Sequence, residues 1–129
     1  PVVGRTTSRF GMRDDPLTGM RRMHSGIDIA AQRGDEVRAT ASGTVVYTGR
    51  GKNYGRFIDI DHHNGFLTRY GHLSQITIRE NMPVKRGDVI GLVGNSGRAT
   101  GYHLHYEILR NHRATDPTSH FYPEQHVVD

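Results

Sequence analysis

The 129-residue chain contains no cysteine and no tryptophan. Without cysteine there is no disulfide framework and no thiolate metal site, so any metal must be held by His, Asp or Glu. No apolar run is long enough to cross a bilayer, and no signal-peptide pattern is present. No window sustains a helical period, which argues against a helix bundle. Proline is sparse, at five residues, but glycine is abundant, at sixteen, and only 34% of residues are hydrophobic. Many turns and short elements follow, a pattern of strands joined by hairpins. The length fits one core and is too short for two comfortable domains, so residues 1–129 are expected to form a single domain. The chain starts at Pro1 without an initiator Met and is read as a domain excised from a longer protein.

Basic residues exceed acidic ones by 17 to 13, for a formal net charge of +4. The positive residues are scattered, the densest pairs being Arg21-Arg22 and Lys85-Arg86. Such a surface suits polyanionic surroundings, nucleic acid or bacterial cell wall, and equally an ordinary soluble basic protein. Asn95-Ser96-Gly97 lacks the Lys and Ser/Thr of a P-loop, which sets aside a nucleotide phosphate site.

The most informative stretch is Gly101-Tyr102-His103-Leu104-His105-Tyr106-Glu107-Ile108-Leu109-Arg110. On a strand it puts Tyr102, Leu104, Tyr106 and Ile108 on one face and His103, His105 and Glu107 on the other. Two imidazoles on one side of a rigid strand can aim at one small volume; a solvated face that carries two His is the bland alternative. A second stretch, His24-Ser25-Gly26-Ile27-Asp28-Ile29, alternates in the same way, with His24 and Asp28 sharing a face. Together the two stretches offer the nitrogen and oxygen donors of a catalytic zinc with three protein ligands and an open position.

The rest of the chain reads as framework. Pro1 to Arg22 is an irregular segment with a turn at Asp14-Asp15-Pro16-Leu17-Thr18-Gly19. Strands are expected over residues 36–39, 44–48, 57–61, 66–70 and 89–93, with short pieces near 76–78 and 82–84. Asn64-Gly65 marks a hairpin, because both residues tolerate positive φ, and its second strand is expected to end at Gly71-His72-Leu73. Arg33-Gly34-Asp35 and Arg86-Gly87-Asp88 repeat a Gly-Asp turn ahead of an apolar strand, one echo that does not amount to a repeat architecture. His62 and His63 at the hairpin turn, and His112, His120 and His126, are taken as surface residues. Phe121-Tyr122-Pro123 is expected to anchor the end of the chain on the sheet, and Asn53-Tyr54 to border a cleft.

His24-x-x-x-Asp28, Gly71-His72-Leu73-Ser74 and His103-Leu104-His105, in this order and spacing, resemble the lysostaphin-type (LytM-like) zinc metallopeptidases that cut bacterial peptidoglycan. Each motif alone is weak, but the three together are specific. The resemblance runs from Ser8-Arg9-Phe10-Gly11 to Asp116-Pro117 and departs at none of the five positions. It implies a mostly β, antiparallel-sheet groove domain with long loops and little helix, a second small sheet, and one zinc per chain held by His24, Asp28 and His105. His72 and His103 would then stand beside the zinc-bound water. With no Glu in a His-Glu-x-x-His motif, an imidazole takes the proton: His103 as main base and His72 as orienter or oxyanion stabiliser, roles that are open to exchange. The implied partners are peptidoglycan stem and cross-link peptides rather than nucleic acid, acted on by a monomer in the cell envelope, periplasmic or secreted.

Residues 13–19 and 23–28 are more similar to the members that cut D-Ala-to-diaminopimelate bonds than to those that cut glycine bridges. A glycyl-glycine endopeptidase is the alternative, as is a non-catalytic member that activates another wall hydrolase, which the intact five positions oppose. A cupin-type oxygenase also carries His-x-His, but its Glu ligand falls later than Glu107 and it leaves His24 and Asp28 without a role. Glu107 itself reads either as a hydrogen-bond partner of a ligand imidazole or as a solvated or salt-bridged acid.

Overall fold

A computed structural model describes residues 1–2, 6–8, 11–14, 21–24, 26–95, 101–111 and 113–115, with backbone alone in 6–8, 11–14 and 21–24. Twelve strands are found among the described residues: β1 Thr6–Ser8, β2 Gly11–Asp14, β3 Arg21–His24, β4 Ile27–Ala30, β5 Glu36–Arg38, β6 Gly43–Gly51, β7 Gly55–Asp61, β8 Phe66–Ile76, β9 Pro83–Val84, β10 Val89–Val93, β11 His103–Arg110 and β12 Arg113–Thr115. All pairings are antiparallel, and no described residue is helical. The mostly β fold expected from glycine content and strand alternation is the fold observed.

The main sheet runs β1-β4-β11-β8-β7-β6-β9, with β12 beside β11, and β10 joining β8 to β5; β2 and β3 form a separate two-stranded sheet. One face of the main sheet supplies the core. Ile27 and Ile29 of β4, Leu104, Tyr106 and Ile108 of β11, Tyr70 and Leu73 of β8, Ile58 and Ile60 of β7 and Val45 of β6 pack with Val37, Ile90 and Val93. Each fully buried aliphatic side chain there contributes about 1.5–3 kcal/mol. The core also encloses a set of hydroxyls. Thr40 Oγ1 lies 2.8 Å from the Tyr106 hydroxyl and 3.1 Å from that of Tyr70, which in turn accepts from Thr68 Oγ1 at 2.9 Å. Burial pushes both phenols above their usual pKa and keeps them neutral.

The Gly-Asp echo has a structural meaning. In each copy the Asp carboxylate accepts the backbone N–H three residues earlier, Gln32 to Asp35 at 2.9 Å and Lys85 to Asp88 at 2.8 Å. Gly34 and Gly87 take φ of 88° and 90°, the left-handed conformation this turn requires. The strands that follow, β5 and β10, pair with each other.

Several expectations are corrected. Pro1 to Arg22 is not wholly irregular, since β1, β2 and the start of β3 lie in it; the 14–19 turn falls largely outside the described residues, as do His112, His120, His126 and Phe121-Tyr122-Pro123. At the 62–65 hairpin, positive φ falls on His63 and Gly65 rather than on Asn64. Strand β8 does not stop at Leu73 but continues to Ile76, because its second half finds a new partner in β10. Tyr102, expected in line with Leu104, is exposed just before β11. His62 is half-buried, hydrogen-bonded to the Ser42 carbonyl and to Thr68 Oγ1, each at 2.8 Å.

Candidate active site

The sheet face opposite the core carries the chemistry. β11 lies between β4 and β8, and its register sets His105 opposite Asp28 on one side and Gly71 on the other. Alternation therefore drives Leu104 and Tyr106 into the core while His105 and Glu107 point the other way. That second face is also buried: His105 is 6% exposed and Glu107 1%. With Asp28, also buried, they bring three charged or polar groups out of water at one place.

His105 stands between two carboxylates. Its Nδ1 lies 2.9 Å from Asp28 Oδ1 and its Nε2 2.7 Å from Glu107 Oε2. Burial by itself would lower the imidazole pKa, but the hydrogen bonds from Asp28 and Glu107, with their two negative charges, outweigh it and raise it to about 9. Without a metal the ring is an imidazolium near neutral pH. His103 approaches the same carboxylate, its Nε2 3.7 Å from Asp28 Oδ1. The other nitrogen, Nδ1, donates to the Gly101 carbonyl at 2.9 Å, which leaves Nε2 as the proton acceptor.

His72 arrives by a different route. Strict alternation along β8 would give it the core face that Tyr70 occupies. Ile58 pairs with Tyr70 and Arg56 with Leu73, so Phe57 opposes two residues, Gly71 and His72. This is a β-bulge, and it turns His72 to the chemical face while returning Leu73 to the core. The cost is a φ of 62° on a non-glycine residue, offset in part by a 2.6 Å hydrogen bond from the His72 N–H to the Tyr54 carbonyl. The His72 ring then lies 5.0 Å from that of His103 and 5.9 Å from that of His105, centroid to centroid.

His24 is the last residue of β3, paired with Gly11 in the small sheet. Its side chain is outside the described residues. His24 and Asp28 do not share one continuous strand, as the alternating pattern suggested; they sit on β3 and β4, in different sheets, with the strand broken between them. Gly26, in that break, lies so close to β11 that a Cβ would overlap the Tyr106 carbonyl oxygen and come within 2.8 Å of Glu107 Cγ. Among the described residues no group of three His, Asp or Glu donors is assembled for a metal ion. Asp28 and His105 form the pair present there. Their facing oxygen and nitrogen are held together by a proton, which a cation taking both donors would replace, so the donor chemistry fits zinc.

The family model for peptidase family M23 matches residues 22–117. The chain belongs to peptidase family M23. It is similar over 118 residues, at 45% identity, to the DD-carboxypeptidase/endopeptidase Mpg of Neisseria meningitidis serogroup B, covering 92% of this chain and 27% of that protein. To the peptidoglycan DD-endopeptidase ShyA of Vibrio cholerae it is 42% identical over 106 residues, 81% of this chain and 25% of the relative. The M23 chain thus spans about a quarter of the length of these curated relatives. Among solved structures, a zinc-containing peptidase from Vibrio cholerae superposes with a TM-score of 0.84 at 38% identity, over 90% of this chain and 37% of that one. The catalytic domain of lysostaphin from Staphylococcus simulans does so with a TM-score of 0.81 at 29% identity, over 90% of both chains.

Two further residues pack against this cluster in a way the sequence does not reveal. Arg69, on β8, holds Asp59 with both ends of its guanidinium, at 2.7 and 2.9 Å, and its Nη1 is 3.6 Å from Glu107 Oε1. Asp59, which alternates with Ile58 and Ile60 on β7, is buried under this contact. The hydrogen bond to Asp59 raises the Arg69 pKa, so its charge is permanent. Tyr54 is the other: its ring packs 5.6 Å from that of His105 and beneath the Arg69 guanidinium, 5.0 Å from Cζ. Asn53-Tyr54 was expected to border a cleft, and nothing local ties Tyr54 to Arg69, fifteen positions away.

Proposed function

We propose that this chain is a single catalytic domain, residues 1–129, of a zinc-dependent endopeptidase that hydrolyses peptide cross-links of bacterial peptidoglycan at D-Ala-to-diaminopimelate bonds. The observation that carries the reading is the convergence of Asp28, His105, His103 and His72, from three neighbouring strands, on one buried face of the sheet. The names of the relatives with 42–45% identity support the substrate class. The excess of basic over acidic residues also tolerates the free carboxylates of diaminopimelate-type stems. A cell-envelope location, periplasmic or secreted, and a monomeric enzyme belong to the same reading.

One zinc per chain would be held by His24, Asp28 and His105. When bound, zinc supplies Lewis acidity to a water molecule and to the scissile carbonyl. The chain's own residues do the rest. Asp28 and His105 fix the donors, and Glu107 takes up the second nitrogen of His105. His103, its Nδ1 committed to the Gly101 carbonyl, presents a basic Nε2 that accepts the proton of the attacking water and returns it to the leaving amine. His72, held by its bulge beside His103, orients the water and stabilises the oxyanion as it develops.

Digestion of purified diaminopimelate-type and pentaglycine-bridged walls in parallel, with mass spectrometry of the fragments, tests the reading. Cleavage of the D-Ala-to-diaminopimelate bond is expected, lost by about a hundredfold or more in His103→Ala with zinc retained. Fragments from pentaglycine wall alone would overturn the bond assignment, and near-normal turnover in His103→Ala would overturn the base.

A further inference from the structure

The sheet face that carries the histidines does not end at Tyr54. Toward β6 it continues as a row of aromatic rings: Tyr54 lies 5.4 Å from Phe57, and Phe57 stacks on Tyr47, 4.9 Å away and 25° from parallel, centroid to centroid. With the 5.6 Å contact of Tyr54 to His105, the row runs unbroken from β6 to the centre of the site. Two features of the β6 backbone make room for it. Val45 pairs with Ile60 and Tyr47 with Asp59, so Val46 is an extra residue, a β-bulge. In regular pairing Tyr47 would oppose Ile58 on the core face; the bulge turns it instead to the face of Asp59 and Phe57. Gly49 and Gly51 then leave space for the rings, since a Cβ at Gly49 would come within 2.7 Å of the Tyr47 hydroxyl and one at Gly51 within 3.0 Å of Phe57 Cε1. The core gains nothing from this, because Tyr47 remains 41% exposed. A bulge that carries a large ring out of the core and leaves it in solvent, in line with an active site, is the arrangement of a binding surface.

We propose that Tyr47 and Phe57 form a sugar-binding subsite, on which a pyranose ring of the wall glycan stacks while its stem peptide crosses the sheet to the catalytic histidines. Chemistry and distance both select a sugar. A stacked pair at an exposed strand suits the C–H face of a pyranose, which needs one open aromatic face, better than an apolar peptide side chain, which needs enclosing walls. The turn that carries Tyr54 also exposes Lys52 and Asn53, which offer donors and an acceptor to hydroxyl and N-acetyl groups. From β6 to β11 the sheet takes three strand-to-strand steps, through β7 and β8. Those steps span about 14 Å, and an extended stem of about four residues spans about 13–14 Å, so a sugar on Tyr47 places the end of its stem at His105.

This inference rests on the peptidoglycan reading above, and the experiment separates the two by measuring binding apart from cleavage. Peptide-free wall glycan, a chain of N-acetylated hexosamines, is titrated into wild type, Tyr47→Ala, Tyr47→Phe and Gly49→Ala while amide NMR spectra are recorded. Cross-linked wall fragments are then offered to the same proteins, with zinc present, once with their sugars attached and once after enzymatic removal of the sugars. Glycan is expected to shift the amides of Tyr47, Gly49 and Phe57 in wild type and Tyr47→Phe and to leave them in place in Tyr47→Ala. Tyr47 is exposed, so its replacement spares the core. Tyr47→Ala is expected to lower kcat/KM about three- to tenfold on the sugar-bearing fragment, through KM, and to act on the sugar-free fragment as wild type does. Gly49→Ala keeps the ring but pushes its hydroxyl end aside, and is expected to lose part of the same factor. Glycan that shifts none of the three amides overturns the subsite, and so does an equal loss on both fragments, which would mean that the ring holds peptide. If wild type cleaves neither fragment while glycan still shifts Tyr47 and Phe57, the subsite stands and the endopeptidase reading falls. Cleavage of both fragments at the same rate by wild type and Tyr47→Ala leaves the endopeptidase standing and removes the subsite.

Discussion

His105 makes the metal-free chain sensitive to alkali in a way that can be calculated. In the unfolded chain its imidazole titrates near 6.5, while in the fold, between Asp28 and Glu107, it titrates at about 9. A group whose pKa rises on folding stabilises the fold fully below the unfolded value, and that stability is lost as pH climbs through the folded one. The rise from 6.5 to about 9 corresponds to about 3 kcal/mol, disappearing between pH 6.5 and 9. That is a large share of the stability of an ordinary domain, roughly 5–15 kcal/mol. With a urea slope of about 1–3 kcal/mol per molar, the midpoint should fall by about 1–3 M across this window. The assay is urea unfolding in chelator from pH 6 to 10, on wild type and His105→Asn, whose difference cancels every group that titrates alike in both. Curves that stay parallel from pH 6.5 to 9 would show that the two carboxylates do not hold a proton on His105, and the geometry of the site would need another account.

The same proton opposes the metal. With His105 protonated below about 9, apparent zinc affinity measured by chelator competition should rise close to tenfold per pH unit between 6.5 and 8.5, and a flat profile would contradict the Nδ1 donor. Gly26→Ala should both lower the melting temperature and lose zinc, because the new Cβ meets β11 backbone beside Glu107 rather than a movable side chain; unchanged values in calorimetry and metal analysis would refute the close approach. Thr40→Val removes the group that both core phenols share, at an expected cost of about 1–3 kcal/mol in denaturant unfolding, with zinc binding untouched.

What could be read from the sequence is what a period of two records. β11 announced both its faces, and the residues that alternate there, Leu104 and Tyr106 against His105 and Glu107, are divided as written. The two Gly-Asp turns were legible because a left-handed glycine followed by a carboxylate that caps its own turn is a local event. The strands of the first 24 residues were not, because three or four residues with Arg, Gly and Thr carry no alternation to detect. The pairing of Arg69 with Asp59 was missed for another reason. Their partnership is set by the β7–β8 register, and neither side chain reveals in sequence that the other will neutralise it in the interior.

The site itself depends on departures from that period. His72 faces His103 only because an extra residue in β8 turns it away from the core, and a reader who trusted alternation would bury it beside Tyr70. His24 and Asp28 lie four apart, which on one strand would place them side by side; the strand is instead broken between them, at a glycine packed too tightly against β11 to bear a side chain. A flat strand presents its side chains in a row about 7 Å apart on each face, too far for several imidazoles to meet one carboxylate. Bending β8 at Gly71-His72 draws an imidazole from a neighbouring strand toward the start of β11, where His103 and His105 lie. Regular strands build the buried support of Glu107, Arg69 and Asp59 beneath them, and this division explains why the framework was easier to foresee than the geometry it holds.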